Sequence, residues 1–370
     1  MRTLISSKSV KLPDARIPSG CSIAGIMDVH GKLIPGTDII RLIAVMHDRS
    51  NGLGGGFAGY GIYPHHKDDY CFHLMYDFEE AKQQTEATLK KCFEIIGEEE
   101  IPTAPVKEVV KRPILWRYFL QIHPETHERY YELSDDDIVM MVVMEVNEFI
   151  KGAFVVSSGK NMGVFKGVGY PEQIGKFYRI EEYHAHLWIA HGRFPTNTPG
   201  WWGGAHPFGL LGWSLVHNGE ISSYGTNKRY LEEFGYRLML QTDSEAILYM
   251  FDLLLRRHGL PLEIACTILA PPLWERIERM PTRERDFHTT LRIVYGSSMI
   301  NGPSALILAH PRGMVGLADR IKLRPLVAAR KGPRCFLASE ECAINAVCQA
   351  PERVWAPAAG EPVVFTMGKR

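Results

Sequence analysis

Three short runs in the second half of the chain combine residue types that could do chemistry. Arg193 closes the apolar run HLWIAHGRF, and a guanidinium at a strand end suits a bidentate grip on a carboxylate. A surface ion pair would use the same residue. His217-Asn218-Gly219-Glu220 closes a second apolar run, WSLVHNGE. Asn-Gly is ordinarily a hairpin signal, yet an Asn amide beside a glycine N–H at a strand end is also what an oxyanion hole requires. Further on, Thr242-Asp243-Ser244-Glu245 opens a helical pattern. Thr242 or Asp243 is by default its N-cap, and a carboxylate there could equally bind an ammonium group.

A fourth run imitates a site. Gly54-Gly55-Gly56-Phe57-Ala58-Gly59 matches GxGxxG, but a dinucleotide fingerprint follows a strand and opens a helix, whose N-terminus holds the pyrophosphate. Here a helical pattern precedes it and the strand-like GIYP follows. The stretch Asn51 to Gly61 therefore reads as a flexible or close-packed loop.

Positioning these residues takes ordered elements, and the pattern supplies them. CSIAGIM reads as a short strand, after which Thr37 is expected to cap a helix with Ile39, Ile40, Leu42, Ile43 and Met46 at helical spacing. Residues 77–112 are strongly charged and predict a surface helix with a Pro-containing exit. Ser134 with Asp137 forms a capping box for a Met-rich helix, and AFVVSSG with MGVFKGVG predicts a hairpin. Residues of about 85–180 thus read as an α+β insertion. The tail adds the strands SALILAH, GMVGLAD, CFLAS and EPVVFTM. Strands grouped among helices without strict βαβ alternation imply an α+β fold rather than a doubly wound parallel sheet.

Composition narrows the function. With 42 basic and 42 acidic residues in 370, no global field favours nucleic acid or a membrane surface. The longest apolar candidate span, Ile138 to Met144, ends at Glu145 and is far too short to cross a bilayer. Residues 1–20 lack the apolar core of a secretory signal. The seven cysteines are an odd number without a CxxC pair, which predicts buried thiols in a reduced, cytoplasmic setting rather than disulfides or a zinc ribbon.

The runs HGRFPTNTPGWWGGAHPF, HNGEISSYGTNKRYLEEFGY and TDSEAI resemble the glutaminase domain of class II glutamine amidotransferases. Together with CSIAGIMDVHG near the start and DRIKLRPLVAARKG at 319–332, they resemble most closely the amidotransferase part of archaeal-type glutamate synthase. Each motif alone is weakly specific; what carries weight is their common order from Cys21 to the tail.

The resemblance implies a four-layer αββα sandwich of the N-terminal-nucleophile (Ntn) hydrolase type. It implies that Cys21 attacks the side-chain amide of L-glutamine, with its own freed α-amino group as base, an amine whose ordinary pKa is about 7.7–8.0. Arg193 would hold the α-carboxylate and Asp243 the α-ammonium, while Asn218 and Gly219 stabilise the oxyanion. Residues 1–20 would then be a leader cut at Gly20–Cys21. The ammonia would pass to a separate glutamate synthase subunit carrying FMN and an iron–sulfur cluster and acting on 2-oxoglutarate, in a hetero-oligomer. No cysteine spacing or nucleotide loop on this chain suits such a cofactor, so none is expected here, and no metal.

One position departs from the family pattern: Ser22 follows the nucleophile where glycine is usual. Three other readings share the same residues. One is an amidotransferase subunit for another acceptor, of the N-methylglutamate synthase or phosphoribosylamine type. Another is a catalytically silent, glutamine-binding scaffold, and the last is an Ntn amidohydrolase acting on a different amide.

Overall fold

The computed structural model describes residues 20–195 and 200–368. The expected leader, apart from Gly20, and Thr196-Asn197-Thr198 lie outside the described residues. The molecule mixes helices with three substantial antiparallel sheets.

The first strand, Ser22–Asp28, is buried along its whole length because both faces are covered. Its Ala24 and Ile26 face a core shared with the helices Gly36–Ala44, Pro171–Phe177 and Glu341–Asn345. Its Ile23 and Met27 face the opposite way, onto Val216, Ile307 and Met314 of a second sheet. This strand lies inside a seven-stranded sheet. In spatial order the strands are Arg353–Trp355, Val327–Lys331, Arg334–Ala338, Ser22–Asp28, Leu187–Gly192, Gly55–Tyr60 and Met162–Gly167. The second sheet runs Phe208–Leu210, Trp213–Gly219, Ser304–His310, Gly313–Ala318 and Val363–Thr366. Its outer face packs on the helices Asp243–Asp252 and Leu262–Leu269.

A third sheet, Phe93–Glu100, Ile114–Ile122, Tyr70–Tyr76 and Ala153–Ser157, joins the helices Glu79–Leu89 and Asp135–Phe149. The elements within 85–180 therefore divide between this sheet and the seven-stranded one, to which Met162–Gly167 belongs.

Several local expectations change. The glycine-rich stretch is no loop: Gly55–Tyr60 is an interior strand paired on both sides. Its glycines answer to packing. A Cβ on Gly56 would lie 2.3 Å from the His206 carbonyl oxygen and 2.5 Å from that of Phe165, and one on Gly59 would meet the Trp188 ring at 2.5 Å. Charge density misled over 77–112, where the helix stops at Leu89 and an edge strand, Phe93–Glu100, turns its acidic residues outward. The two segments expected as a hairpin pair with different partners, Ala153–Ser157 with Tyr70–Tyr76 and Met162–Gly167 with Gly55–Tyr60. Thr37 sits inside the first turn of its helix, behind an N-cap position held by Pro35. The Ser134–Asp137 capping box is present in both directions.

Candidate active site

Strand pairing brings the ends of distant segments together. Ser22 sits opposite Gly192 in the seven-stranded sheet, which places Cys21 beside Arg193 and Phe194. Asn218 and Gly219 end a strand of the facing sheet, and Asp243 opens the helix packed behind that sheet. All five sequence-predicted residues, Cys21, Arg193, Asn218, Gly219 and Asp243, line one cavity of about 300 Å3.

The Cys21 sulfur is held by the backbone: Sγ accepts the Phe194 N–H at 3.3 Å. Burial pushes the thiol up from its ordinary value, while that N–H and the guanidiniums of Arg193 and Arg324 pull it down. The Cys21 carbonyl accepts from Arg49 Nε at 3.3 Å, and Arg49 in turn donates to Glu340 at 2.9 Å. Gly20 continues into the same cavity, where a Cβ on it would lie 3.2 Å from an Arg324 nitrogen.

Arg193 is buried, with its backbone pinned by Gly54, Asn51 and Ser50. Small neighbours make room for its side chain, since Cβ atoms on Gly54 and Gly204 would approach it at 3.0 and 3.3 Å. Burial disfavours its charge, and Cys21 and Asp243 offset this. A buried cation facing a cavity fits an anionic ligand group.

Asn218-Gly219 makes no hairpin turn; the pair continues the strand opposite Ala305 and Ser304. Asn218 is 1% exposed, yet neither Nδ2 nor Oδ1 has a hydrogen-bond partner among the described residues. Leaving a buried amide unmatched costs roughly 1–3 kcal/mol, an arrangement that makes sense for a group reserved for a ligand. Gly219 is obligatory, because a Cβ would sit 2.0 Å from the Pro303 carbonyl oxygen.

The two candidate caps of the TDSE helix separate cleanly. Thr242 is the N-cap, accepting from the Glu245 N–H at 3.2 Å. Asp243 is thereby left free of capping duty; it accepts the Ile221 N–H at 3.0 Å and the Ser244 hydroxyl at 3.2 Å, and it borders the cavity.

Several neighbours were not among the sequence-predicted site residues. Arg324 lies in the DRIKLRP run but carries no local signal of its own. His217, Ser244 and His206 form a buried hydrogen-bonded group behind Asp243. Lys166, fully buried, donates to the Gly203 carbonyl at 2.9 Å and stands over the Phe208 ring. Alternation along MGVFKGVG could have marked it as inward-facing, but lysine at an inward position reads as an edge. Trp201 lies against Gly203 and Gly204, whereas Trp202 packs on Phe177 in the outer core. Ser22 is accommodated by its cross-strand partner: a Cβ on Gly192 would come within 2.5 Å of the Ser22 hydroxyl. Among the described residues no three His, Cys, Asp or Glu side chains converge on a metal-sized site. All seven cysteines are free thiols, and among the described residues no helix is long and apolar enough to cross a membrane.

The chain is 50% identical to an uncharacterized protein of Archaeoglobus fulgidus over 366 residues, 98% of this chain and 96% of that one. It is 25% identical to a Methanothermobacter thermautotrophicus protein provisionally named a glutamine amidotransferase, over 90% and 95% of the two chains. Shorter stretches match larger proteins. The glutamine–fructose-6-phosphate aminotransferase of Helicobacter pylori is 30% identical over 53% of this chain and 28% of its own length. For the glutamate synthase large chain of Bacillus subtilis the identity is 29% over 44% of this chain and 12% of its own. The family described as "Glutamine amidotransferases class-II" matches residues 76–352. That span holds Arg193, Asn218, Gly219 and Asp243 but not Cys21, which the fold delivers to them across the Ser22–Gly192 pairing. The chain belongs to the class II glutamine amidotransferases.

Proposed function

We propose that the chain hydrolyses L-glutamine to glutamate and ammonia through Cys21, and that the ammonia serves a synthase on another polypeptide. The observation that carries this reading is the convergence, in one cavity, of a backbone-held thiol, a buried cation, a carboxylate and an amide with no hydrogen-bond partner among the described residues. Arg193 and Asp243 offer opposite charges to the two ends of an amino acid, which favours glutamine over an amide lacking those groups.

In this reading the Gly20–Cys21 bond is cut, and the freed α-amine takes the thiol proton as sulfur attacks Cδ of glutamine. Asn218 Nδ2–H and the Gly219 N–H receive the negative charge that develops on the amide oxygen. Collapse of the tetrahedral adduct breaks the C–N bond; the amine returns its proton to the leaving nitrogen, and ammonia departs. Water, deprotonated by the same amine, then opens the thioester, giving glutamate and the free thiol. The packing of two facing sheets with helices outside them supports the four-layer Ntn arrangement that such chemistry uses.

The sequence resemblance favours as acceptor a partner subunit with FMN and an iron–sulfur cluster, converting 2-oxoglutarate to glutamate, and the partial match to a glutamate synthase large chain supports that choice. A different acceptor, as the aminotransferase match suggests, leaves the glutaminase half unchanged. The test is intact mass and N-terminal sequencing of the expressed protein, beside ammonia release from glutamine with and without candidate synthase subunits. A chain beginning at Cys21 that releases ammonia, and stops on Cys21→Ala, is the expected result. A chain that keeps Met1 and releases none beside its partner would make it a silent relative.

A further inference from the structure

The Ser244 hydroxyl is fully buried and has three polar neighbours: His206 Nε2 at 2.7 Å, His217 Nδ1 at 3.1 Å and Asp243 Oδ1 at 3.2 Å. A hydroxyl owns one proton and two lone pairs. An ionised carboxylate cannot donate, so the proton belongs to Asp243 and both imidazoles must donate into the serine oxygen. That count fixes His206 as its Nε2–H tautomer and His217 as its Nδ1–H tautomer. The remaining ring nitrogens, His206 Nδ1 and His217 Nε2, then need no proton, and neither has a hydrogen-bond partner among the described residues. A third histidine closes the group: His191 stacks on His206 at 4.0 Å and sends Nε2–H to the His217 carbonyl at 2.9 Å. Burial holds all three imidazoles below their ordinary value, in keeping with neutral rings.

We infer that Ser244 and His206 are positioning residues that aim the Asp243 carboxylate and set the site's selectivity for a ligand bearing an α-ammonium group. With Oδ2 fixed by the Ile221 N–H and Oδ1 by Ser244, the carboxylate cannot swing toward His217, 3.8 Å away. The carboxylate held in this way belongs to a residue that borders the cavity. The inference rests on the glutamine reading above, and the experiment separates the two.

The measurement is protection of Cys21 against iodoacetamide in the full-length chain, read on the Cys21 peptide by mass spectrometry. Two ligands are titrated: L-glutamine, and glutaramate, which is glutamine without its α-amino group. The concentration of ligand that halves the labelling rate is read whether or not the chain turns over. Ser244→Ala is expected to weaken glutamine about tenfold, the scale of one charge-assisted contact, and to leave glutaramate within about twofold. His206→Asn, whose amide cannot reach the Nε2 position, should do the same, and His206→Gln, whose amide can, should recover most of the loss. Equal losses for both ligands, or no loss in Ser244→Ala, would overturn the inference while sparing the glutamine reading. A wild-type chain that glutamine does not protect would overturn both.

Discussion

Asn218 shows what the site costs the fold. Its amide is buried with neither polar atom matched by a described neighbour, so it contributes desolvation without a compensating bond in the unliganded protein. A residue kept for structure would behave oppositely. Asn218→Ala is therefore expected to fold at least as stably as wild type in urea titrations, since the orphaned group costs roughly 1–3 kcal/mol. Its glutaminase kcat should fall by about 10²–10³, the usual loss for one oxyanion donor, with KM changed little. A variant that loses stability and KM together would mean that the amide is a packing residue. The same trade is visible at Cys21, where burial raises the thiol and nearby Arg193, Arg324 and the Phe194 N–H work against it. In the proposed reading the thiol gives its proton to the freed α-amine rather than to a histidine partner.

At the scale of elements, the interior glycine strand decides whether the two sheets can approach. Gly56 lies where a Cβ would press on two backbone carbonyl oxygens, of His206 and Phe165, which cannot rotate away. Gly25, in the neighbourhood of the same interior, would press on the flexible end of Met314 at 3.1 Å and touch Ile307 at an ordinary contact distance of 3.5 Å. Gly56→Ala is accordingly expected to destabilise by about 3 kcal/mol or more, and Gly25→Ala by about 1 kcal/mol or less; urea midpoints of the two variants compare them directly. This contrast also explains what could be read beforehand. Arg193, Asn218, Gly219 and Asp243 were legible because each ends or opens an element whose local pattern is strong. The capping box at Ser134 was legible because it is closed within four residues. The strand at Gly55–Tyr60 was not, because its glycines reflect neighbours far along the chain, Trp188 and His206, that no local window contains. The supposed hairpin failed for the same reason: sequence adjacency suggested one sheet, and the long-range pairing with Tyr70–Tyr76 put the first segment in another. Arg324 and Ser244 escaped notice because isolated residues acquire a role only through the cavity they reach.

Across the whole molecule, a buried amine joins the layers. Lys166 leaves the seven-stranded sheet, passes over Phe208 of the second sheet and donates to Gly203 in the segment that flanks Arg193. Burial pulls its amine down to about 7, with Arg193 adding to the fall, while the carboxylate of Glu245 opposes it. Glu245 shows the mirror effect, raised to about 7 by burial despite N–H donors from Met239 and Leu240. The sign of the linkage follows. An unfolded Lys166 keeps its proton up to about pH 10.4, whereas the folded one gives it up near 7. Between those values the unfolded state holds the extra proton, so raising the pH favours the folded chain by up to about 1.4 kcal/mol per unit. Lys166→Met keeps the length of the side chain and removes the titration. Urea unfolding at pH 7.5, 8.25 and 9 should therefore show wild type gaining on Lys166→Met as the pH rises, and repeating the comparison in a Glu245→Gln background removes the neighbouring carboxylate whose own titration Lys166 shifts. A difference that stays constant across the three pH values would mean that the lysine is charged throughout. The joint between the sheets would then depend on a permanent cation beside Arg193 instead of an amine that loses its proton when the layers close.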